Sequence, residues 1–280
     1  MHRDAITHVG YDRATVLAVL DLLQPRLAAR RRPLLVGLSG LQASGKSTLA
    51  HQIAAAANAR GIPTQVLALD DFYLGRRARG ALAQSVHPLL ATRSVPGTHD
   101  IALLERTLHA LRGASSHRPA HVPRFDKGLD TRLPPSRWRR VTAAPRLIVL
   151  EGWCIAVPPQ NLAALTRPVN DLERREDTDA RWRTWSNARL AGEYSRLWRR
   201  IDALVVLAAP DFETISRWRE EPERILRRLG APHAMSPSML RRFLMHYERL
   251  SRHALRTLPK IADLVVTLDE HRRVKRCTRR

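Results

Sequence analysis

Five short, continuously apolar runs lie along the chain, and each predicts a buried β-strand. A run that is apolar at every position, rather than at alternate positions, is typical of a strand covered on both faces of its sheet. The runs occupy residues 34–39, 64–69, 146–151, 203–208 and 263–268.

Apolar residues recur at helical spacing between these runs. The periodic segments are 12–30, 46–59, 100–112 and 237–258. Strands that alternate with helices predict an α/β fold with a doubly wound, parallel, five-stranded sheet. Ligands of such sheets bind beyond the carboxyl ends of the strands.

We expect one domain over residues 1–280, with an N-terminal helix at 12–30. Two stretches do not fit the alternation, namely the Pro-, Arg- and His-rich residues 113–145 and the charged residues 156–186. Because long loops of compact domains are often functional, we interpret both as excursions over the active-site face.

Composition adds one unusual feature, a net charge of +22 carried almost entirely by arginine. The arginines are scattered, so we interpret them as solvated helix faces and a field for an anionic substrate. A polyanion partner remains the alternative. The two cysteines, Cys154 and Cys277, fit no metal-ligand spacing and predict free thiols in a reducing compartment. Without a signal peptide or an apolar membrane span, we expect a cytoplasmic protein.

A phosphate-binding loop follows the first apolar run. The sequence from Gly40 to Ser47 fits G-x-x-x-x-G-K-[ST], with a strand pattern before it and a helical pattern after it. In such loops the backbone N–H groups surround the phosphates, the lysine reaches the β- and γ-phosphates, and the hydroxyl binds Mg²⁺. The predicted nucleotide-binding residues are Gly40, Leu41, Gln42, Ala43, Ser44, Gly45, Lys46, Ser47 and Thr48.

Carboxylates end two further apolar runs, at the same edge as this loop. Asp70 and Asp71 follow the second run, and Glu151 ends the third. A kinase acting on a hydroxyl needs one carboxylate to accept its proton and another acidic group near the metal. We therefore assign Asp70 to catalysis and Ser47 with Glu151 to the metal. The alternatives are a turn or helix cap for the aspartates and an arginine partner for Glu151.

Six segments resemble motifs of one enzyme group. The Asp70–Tyr73 element resembles the D-S-F-Y element of P-loop kinases of the phosphoribulokinase/uridine kinase group. The whole set is most similar to plant-type D-glycerate 3-kinases and their bacterial and fungal relatives, from about residue 33 to the chain end. The segments are Leu69-Asp70-Asp71-Phe72-Tyr73, Val95-Pro96-Gly97-Thr98-His99-Asp100, Phe125-Asp126-Lys127, Glu151-Gly152-Trp153, Arg217-Trp218-Arg219 and Ala262-Asp263-Leu264-Val265-Val266.

The resemblance implies Asp70 as the base and places Arg217 and Arg219 in a lid, with Arg217 assigned to catalysis beside Lys46. Surface placement of Arg217 against neighbouring glutamates is the alternative. The expected substrate-binding residues are Asp71, Tyr73, Thr98, His99, Asp100, Arg124, Asp126 and Lys127. For residues 98–100 a turn with a helix cap is the alternative, and for residues 124–127 it is a solvated charge cluster.

Together these features predict an enzyme that uses ATP and Mg²⁺ to phosphorylate a hydroxyl of a small anionic molecule. The resemblance implies D-glycerate as the acceptor and 3-phosphoglycerate as the product. Another sugar acid, a nucleoside or a pantothenate-like acceptor stays open. The charge also leaves open a nucleic-acid-linked P-loop NTPase, although no nucleic-acid-binding module is recognisable.

Overall fold

The computed structural model describes residues 10–229 and 234–280. In chain order the strands are β1 (Leu34–Gly40), β2 (Thr64–Ala68), β3 (Ala120–Val122), β4 (Phe125–Asp126), β5 (Thr131–Arg132), β6 (Arg139–Val141), β7 (Leu147–Gly152), β8 (Ala203–Ala208), β9 (Leu264–Leu268) and β10 (Val274–Arg279). The α-helices are α1 (Arg13–Ala28), α2 (Lys46–Asn58), α3 (Arg76–Ser85), α4 (Ile101–Arg112), α5 (Asp171–Glu176), α6 (Arg181–Arg189), α7 (Ser195–Trp198), α8 (Phe212–Arg228) and α9 (Pro237–Thr257). A π-helical turn, Leu190–Tyr194, joins α6 to α7, and 3-10 turns occupy Leu69–Phe72, Pro88–Ala91, Pro135–Arg137, Leu162–Leu165 and Leu258–Lys260.

Six strands form the central sheet, in the order β10-β9-β8-β1-β7-β2. The five strands predicted from the apolar runs are all present, and neighbouring pairs among them are parallel. Every residue of β1 and of β7 is buried, as expected for strands covered on both faces. The carboxyl ends of these parallel strands therefore meet at one edge, where the phosphate loop follows β1.

The central sheet has one strand more than the five parallel strands that were predicted. β10 adds to the edge of the sheet, antiparallel to β9. Five of its six residues are exposed, and its sequence, VKRCTR, contains no continuous apolar run. An edge strand facing solvent needs no such run, so the apolar pattern could not reveal it.

The two predicted excursions hold small structures of their own. Residues 113–145 form two short antiparallel pairs, β3 with β6 and β4 with β5. Residues 156–186 contain a 3-10 turn, α5 and the beginning of α6. The β4–β5 hairpin matters most for the site, because it carries the Asp126-Lys127 pair.

A buried ion pair joins the second excursion to α9. Glu173 is fully buried, and its two carboxylate oxygens accept hydrogen bonds from Nε and Nη2 of Arg249 at 2.7 and 2.6 Å. Burying two charges is tolerated only when they are paired and hydrogen-bonded in this way. By contrast, Asp171 and Arg174 form an ion pair on the exposed face of α5.

Two further expectations can be compared with the described residues. Cys154 and Cys277 are free thiols, the first buried and the second exposed. None of the helices within the described ranges has both the length and the apolarity needed to cross a membrane.

Candidate active site

The phosphate loop connects β1 to α2 through an unusual backbone. Gly45 has a φ of 84°, in the left-handed region that glycine adopts without strain. Ala43 also has a positive φ, 59°, although it carries a side chain. At Gly40 a Cβ atom would lie 2.8 Å from the Ser44 hydroxyl oxygen, so this position has no room for a side chain. Lys46 is the first residue of α2 and faces the cleft described below.

Tyr11, which the motif analysis did not identify, supports this loop from behind. Its buried hydroxyl donates a 2.6 Å hydrogen bond to the backbone carbonyl of Ser44. The Gln52 amide on α2 exchanges two hydrogen bonds with the Tyr11 backbone, at 2.8 and 2.9 Å. Residue 11 precedes α1 and belongs to no recognisable motif, so its role could be found only from the tertiary structure.

The two residues assigned to the metal are in direct contact. The Ser47 hydroxyl donates a 2.7 Å hydrogen bond to Oε1 of Glu151. Ser47 is the second residue of α2 and Glu151 lies near the end of β7, so the contact follows from the adjacency of β1 and β7. Hydroxyl and carboxylate oxygens are ligands that Mg²⁺ accepts, so the pair fits the predicted metal chemistry.

Asp70 forms an ion pair with Lys127. Nζ of Lys127 lies 2.7 Å from Oδ2 of Asp70, and their side chains are 54% and 28% exposed. Burial raises the pKa of Asp70, but the charges of Lys127 and Lys46 outweigh that effect and hold the pKa below its usual range. The charge of Asp70 in turn raises the pKa of Lys127, against a smaller effect of burial. Asp70 is therefore a carboxylate and Lys127 an ammonium ion at neutral pH.

Asp71 differs from its neighbour in both contacts and ionisation. Its Oδ1 accepts a 2.9 Å hydrogen bond from the Phe125 backbone N–H, which ties the end of β2 to β4. Burial, with a smaller contribution from the charge of Asp70, raises the pKa of Asp71 to about 6, against the opposing effect of the hydrogen bond. The two neighbouring carboxyls thus differ in acidity: Asp70 loses its proton at low pH, whereas Asp71 keeps its proton to higher pH.

A cleft of about 350 Å³ brings the phosphate loop, the Asp70 segment and the β4–β5 hairpin together. Its lining is rich in cations and aromatic rings. The cations among the described lining residues are Lys46, Arg93, Lys127, Arg219 and Arg272, and the rings are Tyr73, Trp153, Phe243 and Tyr247. This combination favours an anionic ligand in the cleft.

Two of these cations, Arg93 and Arg272, were not predicted. Arg93 pairs with Asp130, lies 5.7 Å from the centre of the Phe125 ring, and is held at its backbone carbonyl by the Tyr247 hydroxyl at 2.9 Å. Arg272 lies in the turn between β9 and β10. It pairs with Glu221 and lies 5.6 Å from the centre of the Trp218 ring. Neither arginine belongs to a recognisable motif.

Arg217, the expected lid arginine, lies outside the cleft. Its guanidinium donates to the Thr214 hydroxyl at 2.8 Å, and its side chain faces a separate surface depression with Glu220 and Arg224. Arg219 lines the cleft instead, paired with Glu223 at 3.2 Å. Residues two apart on a helix point about 200° apart, so only one of the two can face the phosphates.

The expected substrate-binding residues divide into two groups. Tyr73 and Lys127 line the cleft with Asp70. Thr98 bonds the Val95 carbonyl at 2.7 Å, and Asp100 caps α4 through the Leu103 N–H at 2.9 Å. This structure therefore places residues 98 and 100 in the turn-and-cap arrangement, not in the cleft.

Arg124 and Asp126, at the start of the β4–β5 hairpin, also lie away from the cleft. Asp126 accepts hydrogen bonds from the N–H groups of Gly128 and Leu129, at 2.8 and 2.9 Å, and so closes the hairpin turn. Arg124 is exposed. Lys127, the first residue after β4, contacts Asp70.

His99 lies behind the cleft wall rather than on it. Its buried ring stacks on Tyr73, with ring centres 4.1 Å apart, and its Nδ1 lies 2.8 Å from the Tyr194 hydroxyl. Burial lowers the pKa of His99 to about 3, against the opposing charge of Asp70, so the ring is neutral.

Known proteins resemble this chain both in sequence and in structure. The chain is 29% identical over 242 residues to the uncharacterised kinase mug58 of Schizosaccharomyces pombe, covering 82% of this chain and 83% of that protein. It is 28% identical over 255 residues to the chloroplastic D-glycerate 3-kinase of Arabidopsis thaliana, covering 86% of this chain and 53% of that protein. No protein-family model matches the chain.

Among solved structures, the chain resembles a D-glycerate 3-kinase from Cryptococcus neoformans var. grubii. The TM-score is 0.78 at 22% identity, covering 96% of this chain and all of that one. This likeness confirms the predicted α/β kinase fold. The sequence and structure comparisons together confirm that the chain resembles the D-glycerate 3-kinases and their fungal relatives, as its motifs predicted.

Proposed function

We propose that this protein is an ATP-dependent kinase that phosphorylates D-glycerate to 3-phosphoglycerate. One observation carries the proposal, namely that a single cleft brings together Lys46 of the phosphate loop and the Asp70–Lys127 pair. A base and a cation for an acidic acceptor thus lie beside the position of the transferable phosphate.

The phosphate loop supplies the nucleotide end of the cleft. Backbone N–H groups at the start of α2, with the positive end of the helix dipole, attract the phosphates. Lys46 adds a fixed cation where negative charge develops during transfer. Arg219 and Arg272 extend the positive field along the same cleft.

Ser47 and Glu151 would hold Mg²⁺ at this end. Their oxygens are 2.7 Å apart, beside the position of the phosphates. A bound Mg²⁺ would neutralise phosphate charge and orient the transferring group.

Asp70 is assigned the role of base. The acceptor hydroxyl oxygen forms a bond to the γ-phosphorus of ATP while the bond from that phosphorus to the bridging oxygen breaks, and ADP leaves. The hydroxyl proton passes to the Asp70 carboxylate. Because Asp70 is ionised at neutral pH, it can receive this proton.

Lys127 is assigned to the acceptor carboxylate. Its ammonium group already contacts Asp70, so an acid bound there would place its hydroxyl near the base and its carboxylate near the cation. The D-glycerate kinases among the similar proteins favour this acceptor over other small acids.

The direct test is turnover of ATP with D-glycerate, other sugar acids, nucleosides, pantothenate and polynucleotides, with mass detection of the product. We expect phosphoglycerate formation that Lys46→Ala abolishes. Turnover of another acceptor by protein that ignores D-glycerate would overturn the substrate assignment. Stimulation by polynucleotide alone would overturn the kinase assignment.

A further inference from the structure

The turn that contains His99 is hydrogen-bonded directly to the segment that carries the proposed base. The Leu74 N–H donates to the Thr98 carbonyl at 2.9 Å, and the Asp100 N–H donates to the Phe72 carbonyl at 2.7 Å. His99 lies between these two bonds, opposite Tyr73, in a short antiparallel bridge. The ring is therefore fixed relative to the Asp70–Tyr73 segment by backbone as well as by stacking.

The hydrogen bonds around Tyr194 favour one tautomer of His99. The Gly97 N–H is necessarily a donor, and it donates to the Tyr194 hydroxyl oxygen at 2.9 Å. Nδ1 of His99 lies 2.8 Å from the same oxygen, so the hydroxyl still has its own proton to donate to that nitrogen. A neutral imidazole that accepts at Nδ1 carries its proton on Nε2. Nε2 of His99 is buried and has no hydrogen-bond partner among the described residues.

An irregular helix holds Tyr194 in place. Leu190–Tyr194 form a π-helical turn between α6 and α7, and the Ser195 hydroxyl bonds the Leu190 carbonyl within it, at 2.8 Å. Such turns occur in α-helices mostly as single insertions, frequently at functional sites. The same helix packs so closely on Gly97, which has a φ of 98°, that a Cβ there would lie 2.3 Å from the Trp185 ring.

A buried N–H without a partner costs free energy, so its retention calls for an explanation. We propose that His99 is a positioning residue for Asp70: Nε2–H donates to Oδ1 of Asp70 during turnover, and Tyr194 fixes the tautomer that makes this possible. Lys127 contacts the other oxygen, Oδ2, so the two donors together set the orientation of the carboxylate. The inference rests on the proposed role of Asp70 as the base.

Two substitutions of His99 distinguish the role of Nδ1 from that of Nε2. The amide nitrogen of His99→Gln reaches the Nε2 position, whereas that of His99→Asn reaches only the Nδ1 position. We expect His99→Asn to lower kcat by roughly 10²-fold, the usual effect of misplacing a catalytic group by about 1 Å. His99→Gln should keep most of kcat, and neither variant should change KM for ATP or acceptor. Equal losses of kcat in the two variants, or an effect confined to the KM for the acceptor, would overturn the proposal.

Tyr194→Phe tests the tautomer without touching His99. In ¹⁵N-labelled protein, wild-type His99 should show a protonated Nε2 and an unprotonated Nδ1, with its signals assigned from the His99→Gln spectrum. Tyr194→Phe should change the proportion of the two His99 tautomers and lower kcat. When it is added to His99→Gln, it should cause no further fall in kcat. A wild-type spectrum with the proton on Nδ1 would contradict the inference.

Asp70→Asn in the same assay distinguishes the two possible failures. If Asp70→Asn turns over like wild type, the role of Asp70 fails, and this inference fails with it. If Asp70→Asn is inactive while folded His99→Asn turns over like wild type, only the positioning role of His99 is refuted.

Discussion

Nζ of Lys127 lies 2.7 Å from Oδ2 of Asp70, although the two residues are 57 positions apart in the chain. The contact joins the β4–β5 hairpin to the end of β2, so the first excursion is held against the proposed base. One cation therefore keeps Asp70 ionised and, in the proposed reaction, would also bind the carboxylate of an acidic acceptor.

Lys127→Met should raise the KM for D-glycerate far more than the KM for ATP. A lost charge-assisted hydrogen bond is worth about 1.5–3 kcal/mol, which corresponds to roughly 10- to 100-fold in affinity. Steady-state kinetics with each substrate varied in turn measure the split. Lys260→Met, which removes an exposed lysine in the turn after α9, is the matched control and should change neither constant. Equal rises in the two KM values would contradict the assignment.

The same variant should move the acid limb of the pH–rate profile to higher pH. Asp70 acts as a base only when ionised, so kcat/KM falls as the pH drops through its pKa. Lys127 holds that pKa below its usual range, and its removal lets the pKa rise. The limb should therefore appear at higher pH in Lys127→Met than in wild type. An unchanged limb would mean that another group controls it.

Asp70→Asn and Asp71→Asn should differ sharply in turnover. An asparagine at 70 cannot accept the proton, so we expect kcat to fall by roughly 10²–10⁴ while ATP still binds. Asparagine at 71 keeps an oxygen for the Phe125 N–H and should have a small effect. Calorimetric ATP binding provides the check on folding. A large loss at 71 with a small one at 70 would reverse the two assignments.

Tyr11→Phe should weaken ATP binding without affecting the acceptor. The variant removes the buried donor to the Ser44 carbonyl, a change that costs about 1–3 kcal/mol at a buried group. We expect a lower unfolding temperature and a several-fold higher KM for ATP, with the D-glycerate KM unchanged. If thermal unfolding and both KM values match wild type, Tyr11 does not support the loop.

Glu173→Gln should be strongly destabilising, because it leaves the Arg249 guanidinium buried without its counter-charge. Breaking such a pair costs about 3–5 kcal/mol. Urea unfolding measures the change. Asp171→Asn, which breaks the exposed pair on the same helix, is the control and should cost at most about 1 kcal/mol. Similar losses in the two variants would contradict the buried pairing.

The parts of the site that were predictable are those attached to strand ends. Lys46, Ser47, Asp70 and Glu151 follow or end apolar runs, and parallel strands bring such positions to one edge whatever the rest of the chain does. Lys127 was predicted from its motif, and its partner Asp70 was expected in the same site. The strand-end positions depend on local sequence and on the sheet alone, whereas Lys127 reaches Asp70 through the β4–β5 hairpin.

The other cleft residues depend on which face of an element packs inward. Arg217 and Arg219 carry the same side chain in one helix, and tertiary packing alone decides that Arg219 faces the cleft. Arg93 and Arg272 come from a loop and a hairpin turn, where no periodicity constrains direction. The partner of His99 Nδ1 is Tyr194, 95 residues away. No local pattern contains such information.

The exposed strand β10 has a consequence for how copies of this protein meet. An uncovered sheet edge offers unpaired N–H and C=O groups to any strand of another molecule. Here the outermost strand carries Lys275, Arg276 and Arg279, all exposed, so two such edges brought together would repel one another. We therefore expect part of the arginine excess to oppose edge-to-edge aggregation. High salt should weaken this effect, because it screens the repulsion between the two edges.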